Sequence, residues 1–540
     1  MCEKYVKVRQ IKLPVECDNL TEKLKNKAAL SLRIKPGDIL NLEITKKSLD
    51  ARDKEDVFFS YEVLLKLDFN TKIKLNPKDK NVCLFDNKKY EIPKCGDEEL
   101  KKRPVICGFG PAGIFCALNL AKAGFKPIVL ERGKDVDERS RDMELLFKEG
   151  ILNTESNAQF GEGGAGTFSD GKLNTTVKDS FGRNRYVLDT FADFGANDEI
   201  RYVNKPHIGT DVLKNVIKNM RMEIEHLGGE IRFNSKLTGV KILDNKIKAV
   251  VINNKEILET DVLVLAIGHS ARDTFEMLYN NDFPMTAKPF AVGVRVQTPQ
   301  ELIDINQYGE KYAKLLPAAD YKLTHTCKNG HGVYSFCMCP GGYVINASSE
   351  NNRTCVNGMS YSKRDSNYAN SAIIVSVSPD DYSSDKENIH PLSGVRFQRM
   401  LEEKAYNLGD GKIPAQNYSD FEKNLETTEF NDKVMLKGLY KGCNIREIFP
   451  DFINESIIEA MPYFNNKING FVSDKTIIMG PESRTSSPLR ISRDEDLVTK
   501  YKGVYPCGEG CGYAGGITSA AIDGIKVSEK IIMKYKKYGA

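Results

Sequence analysis

The sequence predicts an α/β protein. A Rossmann-like parallel-sheet unit is interrupted by an inserted β-rich (α+β) domain and preceded by a small α+β domain. Three observations carry this. Val105-Ile106-Cys107 is a short apolar strand that runs through the G-x-G-x-x-G turn Gly108-Phe109-Gly110-Pro111-Ala112-Gly113 into an amphipathic helix. Far downstream, Val504-Tyr505-Pro506-Cys507 is a second such strand, ending in Gly508-Glu509 and followed by a glycine-rich turn and a small-residue helix. Between them, from Lys288 onward, the pattern changes to strands and loops.

Residues 1–98 form the first domain. Tyr5 to Val15 alternates like a strand, Leu20 to Leu32 reads as a helix, and residues 39–44 and 57–65 read as strands. This β-α-β-β start suits a small α+β domain of ferredoxin-like kind. Residues 46–52, Lys-Lys-Ser-Leu-Asp-Ala-Arg, alternate in charge and read as a solvated loop.

Residues 99–287 hold the first part of the parallel-sheet unit. Ile114, Ala117, Leu118 and Ala121 share one face of the fingerprint helix at i, i+3, i+4 and i+7. Gly124 stops that helix, and Pro127 to Leu130 is the next strand, ending in Glu131 and Arg132. Gly108 permits the tight turn, Gly110 admits a pyrophosphate to the backbone, and Gly113 lets helix and strand pack closely. The helix N-terminus, which begins at Pro111 and Ala112, presents free N–H groups and a positive dipole end to the phosphates. Glu131 follows Gly108 by about 20 positions, the offset of an acid that holds a ribose hydroxyl. Together these features describe a dinucleotide site. A charged helix, Val136 to Glu149, leads to Phe160–Leu173, where five glycines fall within residues 161–171 and expose many N–H groups for a ring or phosphate. Thr210 to Leu227 is an amphipathic helix closed by Gly228-Gly229.

Residues 288–476 are the inserted substrate or cap domain, and residues 477–540 return to the parallel-sheet unit. Strand residues two apart share a face, so Cys337 and Cys339 are expected to project together. Pro340-Gly341-Gly342 behind them allows a close backbone approach. Buried free thiols commonly act as small apolar groups, whereas an ionised one is a nucleophile or proton carrier.

The chain has 540 residues, 41% hydrophobic and 28% charged, with net charge +4. That balance suits a globular protein and is too weak for the basic patch that nucleic acid requires. No apolar run approaches the roughly 18 residues of a membrane span, and no secretory signal is present. The 13 scattered cysteines read as free thiols in a reducing cytoplasm. His325, Cys327, His331, Cys337 and Cys339 have the residue types of a zinc site but not its spacing, so no metal is expected.

Residues 504–517 resemble the second FAD fingerprint of glutathione-reductase-type flavoproteins. Asp261 to Gly268 is similar to that superfamily's A-T-G strand, with Ile267 in place of Thr. With Gly163–Lys172, Phe336–Gly342 and Glu482–Pro488, the chain resembles bacterial FAD-dependent dehydrogenases that carry an extra N-terminal domain. The resemblance implies non-covalent FAD and an oxidoreductase acting on a small molecule. It implies Gly508 and Glu509 at the ribityl chain, and Gly516 and Ile517 at the pyrophosphate and the pyrimidine edge. Gly164, Gly166 and Thr167 would lie along the isoalloxazine, Leu237 at adenine, and Gly268 at the end of the third strand. Arg484 would orient an anionic substrate or stabilise charge on reduced flavin. The catalytic candidates are Arg484, Cys337 and Cys339, and His269 is a candidate flavin contact. NAD(P)H docked transiently is a candidate electron donor, since no second nucleotide unit stands in mid-chain. An alternative is a flavin-binding protein, or an RNA-directed flavoenzyme, whose N-terminal domain engages a macromolecule. The sequence names neither substrate nor oligomeric state.

Overall fold

The fold comes from a computed structural model that describes residues 4–68, 70–73, 78–85 and 89–539. Five parallel strands stand side by side in the order Val504–Pro506, Leu263–Leu265, Val105–Cys107, Ile128–Leu130, Glu230–Arg232. Four of the five are buried at every residue. A parallel sheet covered on both faces demands such unbroken apolar runs. Helices Pro111–Lys122, Thr210–His226 and Ile517–Lys534 build the core on one side. A three-stranded antiparallel sheet (Leu237–Leu243, Lys246–Ile252, Glu256–Glu259) and helix Arg272–Asn280 build a second core.

Two fingerprint glycines are fixed by this packing. A Cβ on Gly108 would lie 2.2 Å from the Ala266 carbonyl oxygen, and one on Gly113 would lie 2.0 Å from that of Gly108. Gly108 also has φ +101, which L side chains rarely adopt.

The insert is a seven-stranded mixed sheet. Its order is Thr324–Thr326, Gly332–Cys339, Tyr368–Val377, Phe290–Pro299, Ile477–Glu482, Ile413–Asn417, Tyr440–Gly442. Helices Ser393–Leu408 and Asp451–Lys467 pack into its core. The sequence assigns residues 477–482 to the returning unit, but this strand is central in the inserted sheet, paired with Phe290–Pro299 and Ile413–Asn417. Its Ile-Ile-Met run is apolar enough for either sheet, so patterning alone does not choose. The chain crosses between the units on a two-stranded ribbon, outward at Met285–Ala287 and back at Leu489–Ile491.

At the N-terminus, strands Ile39–Asp50, Phe58–Leu67, Lys4–Pro14 and Val82–Leu84 form an antiparallel sheet in that order, with helix Leu20–Leu32 in its core. A ferredoxin-like unit needs a second helix before the fourth strand, and none stands there among the described residues. The expected loop at 46–52 is instead largely strand. The Lys47 N–H donates to the Tyr202 carbonyl at 2.7 Å, and the Lys47 carbonyl accepts from the Asn204 N–H at 2.9 Å. Alternating charge here is the period of a strand whose edge docks on the parallel-sheet unit. Among the described residues, no helix is long and apolar enough to cross a membrane.

Candidate functional site

A crevice opens where the parallel strands end and their helices begin, the usual ligand position in open α/β sheets. The fingerprint turn, the glycine loop and the Gly508-Glu509 turn line one end, and Phe336, Cys337, Asn357 and Glu482 of the insert line the other.

The first end is mostly bare backbone. A Cβ on Gly110 would meet nothing nearer than the Gly164 Cα at 3.6 Å, and one on Gly268 or Gly516 would meet nothing within 4 Å. Gly268 and Gly516 have φ +72 and +80, so conformation alone favours glycine there. Gly110 is different: its φ of −85 and ψ of −175 suit any residue. Neither packing nor conformation requires glycine at 110, which leaves close approach of a ligand as the reason. Gly110 and Gly516 are the N-caps of helices Pro111–Lys122 and Ile517–Lys534, and neither helix has a side-chain cap. Two sets of orphan N–H groups and two positive dipole ends therefore meet the crevice, a favourable place for phosphate. Pro111, Ala112 and Ile517 line it beside these caps, whereas Gly113 serves packing.

Glu131 is buried in the lining. Its carboxylate accepts the N–H groups of Phe109, Gly133 and Gly161, each at 2.9 Å. A carboxylate has about four acceptor positions, so these three bonds leave one open while Glu131 braces the turn. Arg132 lies over the Phe160 ring at 4.0 Å and pairs with Glu155 (2.8 Å) and, through two bonds, with Asp273 (2.9 and 3.0 Å). Lys236 bridges the same two carboxylates. Burial opposes the Asp273 charge, but Arg132 and Lys236 outweigh it and hold that carboxyl well below its usual value. The Arg132 charge is thus spent within the protein, and its flat face is what it presents. Leu237 lines the crevice nearby.

Gly164 and Gly166 line the crevice, pressed on the helix starts. A Cβ on Gly164 would come within 2.9 Å of Gly110, and one on Gly166 within 3.1 Å of Ile517. Thr167 does not join them. It is fully buried, and its hydroxyl donates to the Glu162 carbonyl at 3.1 Å, because the loop winds into a 3₁₀ turn at Gly164–Phe168. Glu509 lines the crevice with His269 Nδ1 3.5 Å away, and the buried His269 Nε2 has no protein partner. The Gly508 N–H donates to Asp523 at 2.8 Å.

At the insert end, Arg484 lines the crevice, but its charge is occupied. Glu402 accepts from its Nε (2.9 Å) and Nη2 (2.8 Å), and Nη1 donates to Ser349. Arg272 reaches the same carboxylate at 2.7 and 2.8 Å. Arg484 therefore belongs to a buried Arg–Glu–Arg lock between the units, which corrects its expected role on an anionic substrate. Glu482 pairs with Arg295, at 2.9 and 3.2 Å.

The strand carrying Cys337 and Cys339 departs from simple alternation. Its pairing shifts between Phe336 and Cys339, and Cys337 has φ +44. The bulge leaves the two thiols unequal: Cys337 is half-buried in the lining, and Cys339 is fully buried behind it. Gly341 and Gly342 pack against the Arg364 and Met359 carbonyls rather than opening toward a ring. Lys172, Asp170 and Asn357 also line this end. The first two lie in the glycine-rich stretch Gly163–Lys172, which signals them in the sequence, whereas nothing near Asn357 signals a role.

Among the described residues, ligand atoms of His325, Cys327 and Glu459 lie within 4.8 Å of one another. Each already has a protein partner: Glu459 accepts from the Lys328 N–H (3.0 Å) and faces His325 (3.3 Å), and Cys327 donates to the Ser456 carbonyl (3.5 Å). His331 lies apart, stacked on Phe452.

A family model described as "FAD-dependent protein, C-terminal domain-like" matches residues 289–485, and one described as "Domain of unknown function (DUF8436)" matches residues 6–66. An uncharacterized protein of Clostridium beijerinckii is 47% identical over 537 residues, covering 98% of this chain and 99% of its own. Among solved structures, an L-amino acid deaminase from Proteus myxofaciens is 12% identical, with 83% of this chain and 93% of that chain covered and a TM-score of 0.36. A glycine oxidase from Bacillus cereus is 13% identical, with 80% and 95% covered and a TM-score of 0.29. At scores of this size neither structural likeness carries weight.

Proposed function

The chain belongs to one family with the uncharacterized Clostridium beijerinckii protein, and we propose that it is an FAD-dependent oxidoreductase acting on a small molecule. The observation that carries this is Gly110, bare at an uncapped helix start where neither packing nor conformation requires it. The match of residues 289–485 to an FAD-dependent family model supports the same cofactor.

The residues fit the group. The N–H groups of Gly110 and Ala112 and those of Gly516 and Ile517 would receive the pyrophosphate and the flavin's polar edge. The remaining acceptor position of Glu131 would take a ribose hydroxyl, and Glu509 a ribityl hydroxyl. The planar guanidinium of Arg132 and the apolar side chain of Leu237 border the adenosine end. Bound there, FAD supplies hydride or electron exchange with the substrate. The insert lines the other end with Asn357 and Cys337, and Lys172 of the glycine-rich loop joins them beside the small molecule.

The test is to purify the protein, measure flavin per chain, and mix it anaerobically with NADH, NADPH and a panel of alcohols, hydroxy acids, amines and amino acids. Bound FAD, bleached by one of these donors, is the expected result. A colourless protein that takes up no FAD, or bound FAD that no donor reduces, overturns the reading.

A further inference from the structure

The insert end of the crevice holds a cation whose charge the protein leaves unmatched. Arg295, fully buried, pairs with Glu482 at 2.9 and 3.2 Å. Arg364 takes both oxygens of buried Asp170, Nε lying 3.0 Å from Oδ1 and Nη2 bonding Oδ2. Arg484 is held by Glu402. Lys172 is left over. Its Nζ donates to the Met338 carbonyl, a neutral acceptor, and among the described residues its nearest carboxylate oxygen is Asp170 Oδ2 at 3.9 Å. That separation is beyond hydrogen-bond reach, and Asp170 is already matched to Arg364. An ammonium has three N–H donors, so two remain on Lys172, whose side chain is 28% exposed and lines the crevice.

Asn357 adds a second set of donors in the same lining. Its Oδ1 accepts from Arg295 Nη2 at 2.9 Å and from the Gly358 N–H at 2.7 Å. Both acceptor positions are filled, and turning the amide over would aim its NH₂ at those two donors, so its orientation is fixed. Nδ2 therefore keeps its N–H groups, with no partner among the described residues. Lys172 and Asn357 are also tied to one element. Lys172 bonds the Met338 carbonyl, and Arg295, which holds Asn357, bonds the adjacent Cys337 carbonyl at 2.9 Å. A bulge re-aims such groups, and the pairing of this strand shifts here. The other carboxylates of the lining do not answer Lys172: Glu131 braces the fingerprint turn and Glu509 stands against His269. A half-buried charge without a counterion is costly, and an anionic ligand removes that cost.

We propose that Lys172 and Asn357 form a carboxylate site, so that the small molecule of the crevice is an organic monocarboxylate with its acid group held at the insert end. One free cation and one amide NH₂ suit a planar, singly charged group with two oxygens. A phosphate ester, with nearly two charges, calls for a second free cation, and Arg295, Arg364 and Arg484 are each already matched to a carboxylate. Phe336, 41% exposed in the same lining, offers the rest of the molecule an apolar surface. Capture of the acid group rests on these side chains alone. Its service as the substrate anchor rests on the FAD reading.

The two are tested separately. Purified protein, with and without added FAD, is titrated by calorimetry with benzoate and acetate and with their uncharged amides, benzamide and acetamide. The acids should bind about tenfold or more tighter than the amides. Lys172→Met should weaken the acids about ten- to a hundredfold, and Lys172→Arg should keep most of the affinity. Asn357→Asp retains the acceptor for Arg295 and Gly358 but replaces the free N–H groups with a negative oxygen, and should abolish the preference for acids. Thermal melting checks that each variant folds, and if Lys172→Met does not, Asn357→Asp carries the comparison. Acids that bind no better than their amides, or a preference that the folded variants keep, overturn the site. With an acidic donor that bleaches the flavin, Lys172→Met should raise the half-saturating concentration about ten- to a hundredfold. Bleaching by uncharged donors alone keeps the flavin reading and removes the substrate anchor. Protein that takes up no FAD but still prefers benzoate to benzamide sinks the flavin reading and leaves the carboxylate site standing.

Discussion

The two ends of the crevice are built on opposite principles. The fingerprint end is backbone: bare glycines, two uncapped helix starts, and one carboxylate bracing a turn through three N–H groups. The insert end is side chain: the Arg272–Glu402–Arg484 lock, the Arg295–Glu482 pair and the Lys172–Asp170–Arg364 cluster. Backbone sites accept a ligand through geometry that any chain with the right turns can make. Side-chain networks are specific to one arrangement and fail as units.

That contrast breaks most sharply at Glu402. Glu402→Gln leaves buried Arg484 with neutral partners only and Arg272 with Glu350 as its remaining carboxylate, and a loss of about 3–5 kcal/mol is expected, read by urea denaturation. If stability falls by less than a surface pair is worth, about 1 kcal/mol, the lock is not a unit. At the fingerprint end, Gly108→Ala should lower both stability and FAD content, since its Cβ would press on Ala266. Gly110→Ala should keep the stability of the apo protein and weaken FAD about ten- to a hundredfold, the worth of roughly 1.5–3 kcal/mol in charged contacts. Equal FAD affinity in Gly110→Ala and wild type would remove the argument for the cradle.

Acid separates the ends as well. Burial opposes the Glu402 charge, but Arg272 and Arg484 prevail and depress its carboxyl below the unfolded value. Its contribution is therefore full above about pH 4.3 and is lost as pH falls below that. The melting temperature of wild type should drop steeply between about pH 5 and 3, and Glu402→Gln should flatten that slope. A slope unchanged by the substitution contradicts the assignment. The smallest effect is expected at Thr167. Thr167→Val should cost about 1 kcal/mol for its lost bond to Glu162 and leave FAD affinity unchanged.

Legibility followed the same division. Glycine turns, apolar strands and helix starts are local, so the fingerprint strand, both cradle helices and the Gly110 position were readable from consecutive residues. Thr167 misled because a glycine-rich run does not reveal that it will wind into a 3₁₀ turn. Arg484 misled for the opposite reason: its partner, Glu402, lies on a helix 82 positions away. Longer separations, 187 and 194 positions, hid the Arg295–Glu482 and Asp170–Arg364 pairs, and the strand at 477–482 was misplaced because burial on both faces erases the alternation that would assign it.

The ribbon at Met285–Ala287 and Leu489–Ile491 has a consequence for the order of birth of the parts. On the ribosome the fingerprint turn emerges long before its counterpart at Gly508–Ile517, with the whole inserted sheet made in between. At roughly 5–20 residues per second, tens of seconds separate the two halves of the cradle. Until the last helix leaves the tunnel, the central strand Val105–Cys107 and its neighbours lack one edge of the sheet and one of the two helix starts. The inserted sheet, contiguous in the chain, can close first and bring the ends of the interrupted unit together. A nascent chain therefore gains its full grip on a dinucleotide only at the end of synthesis.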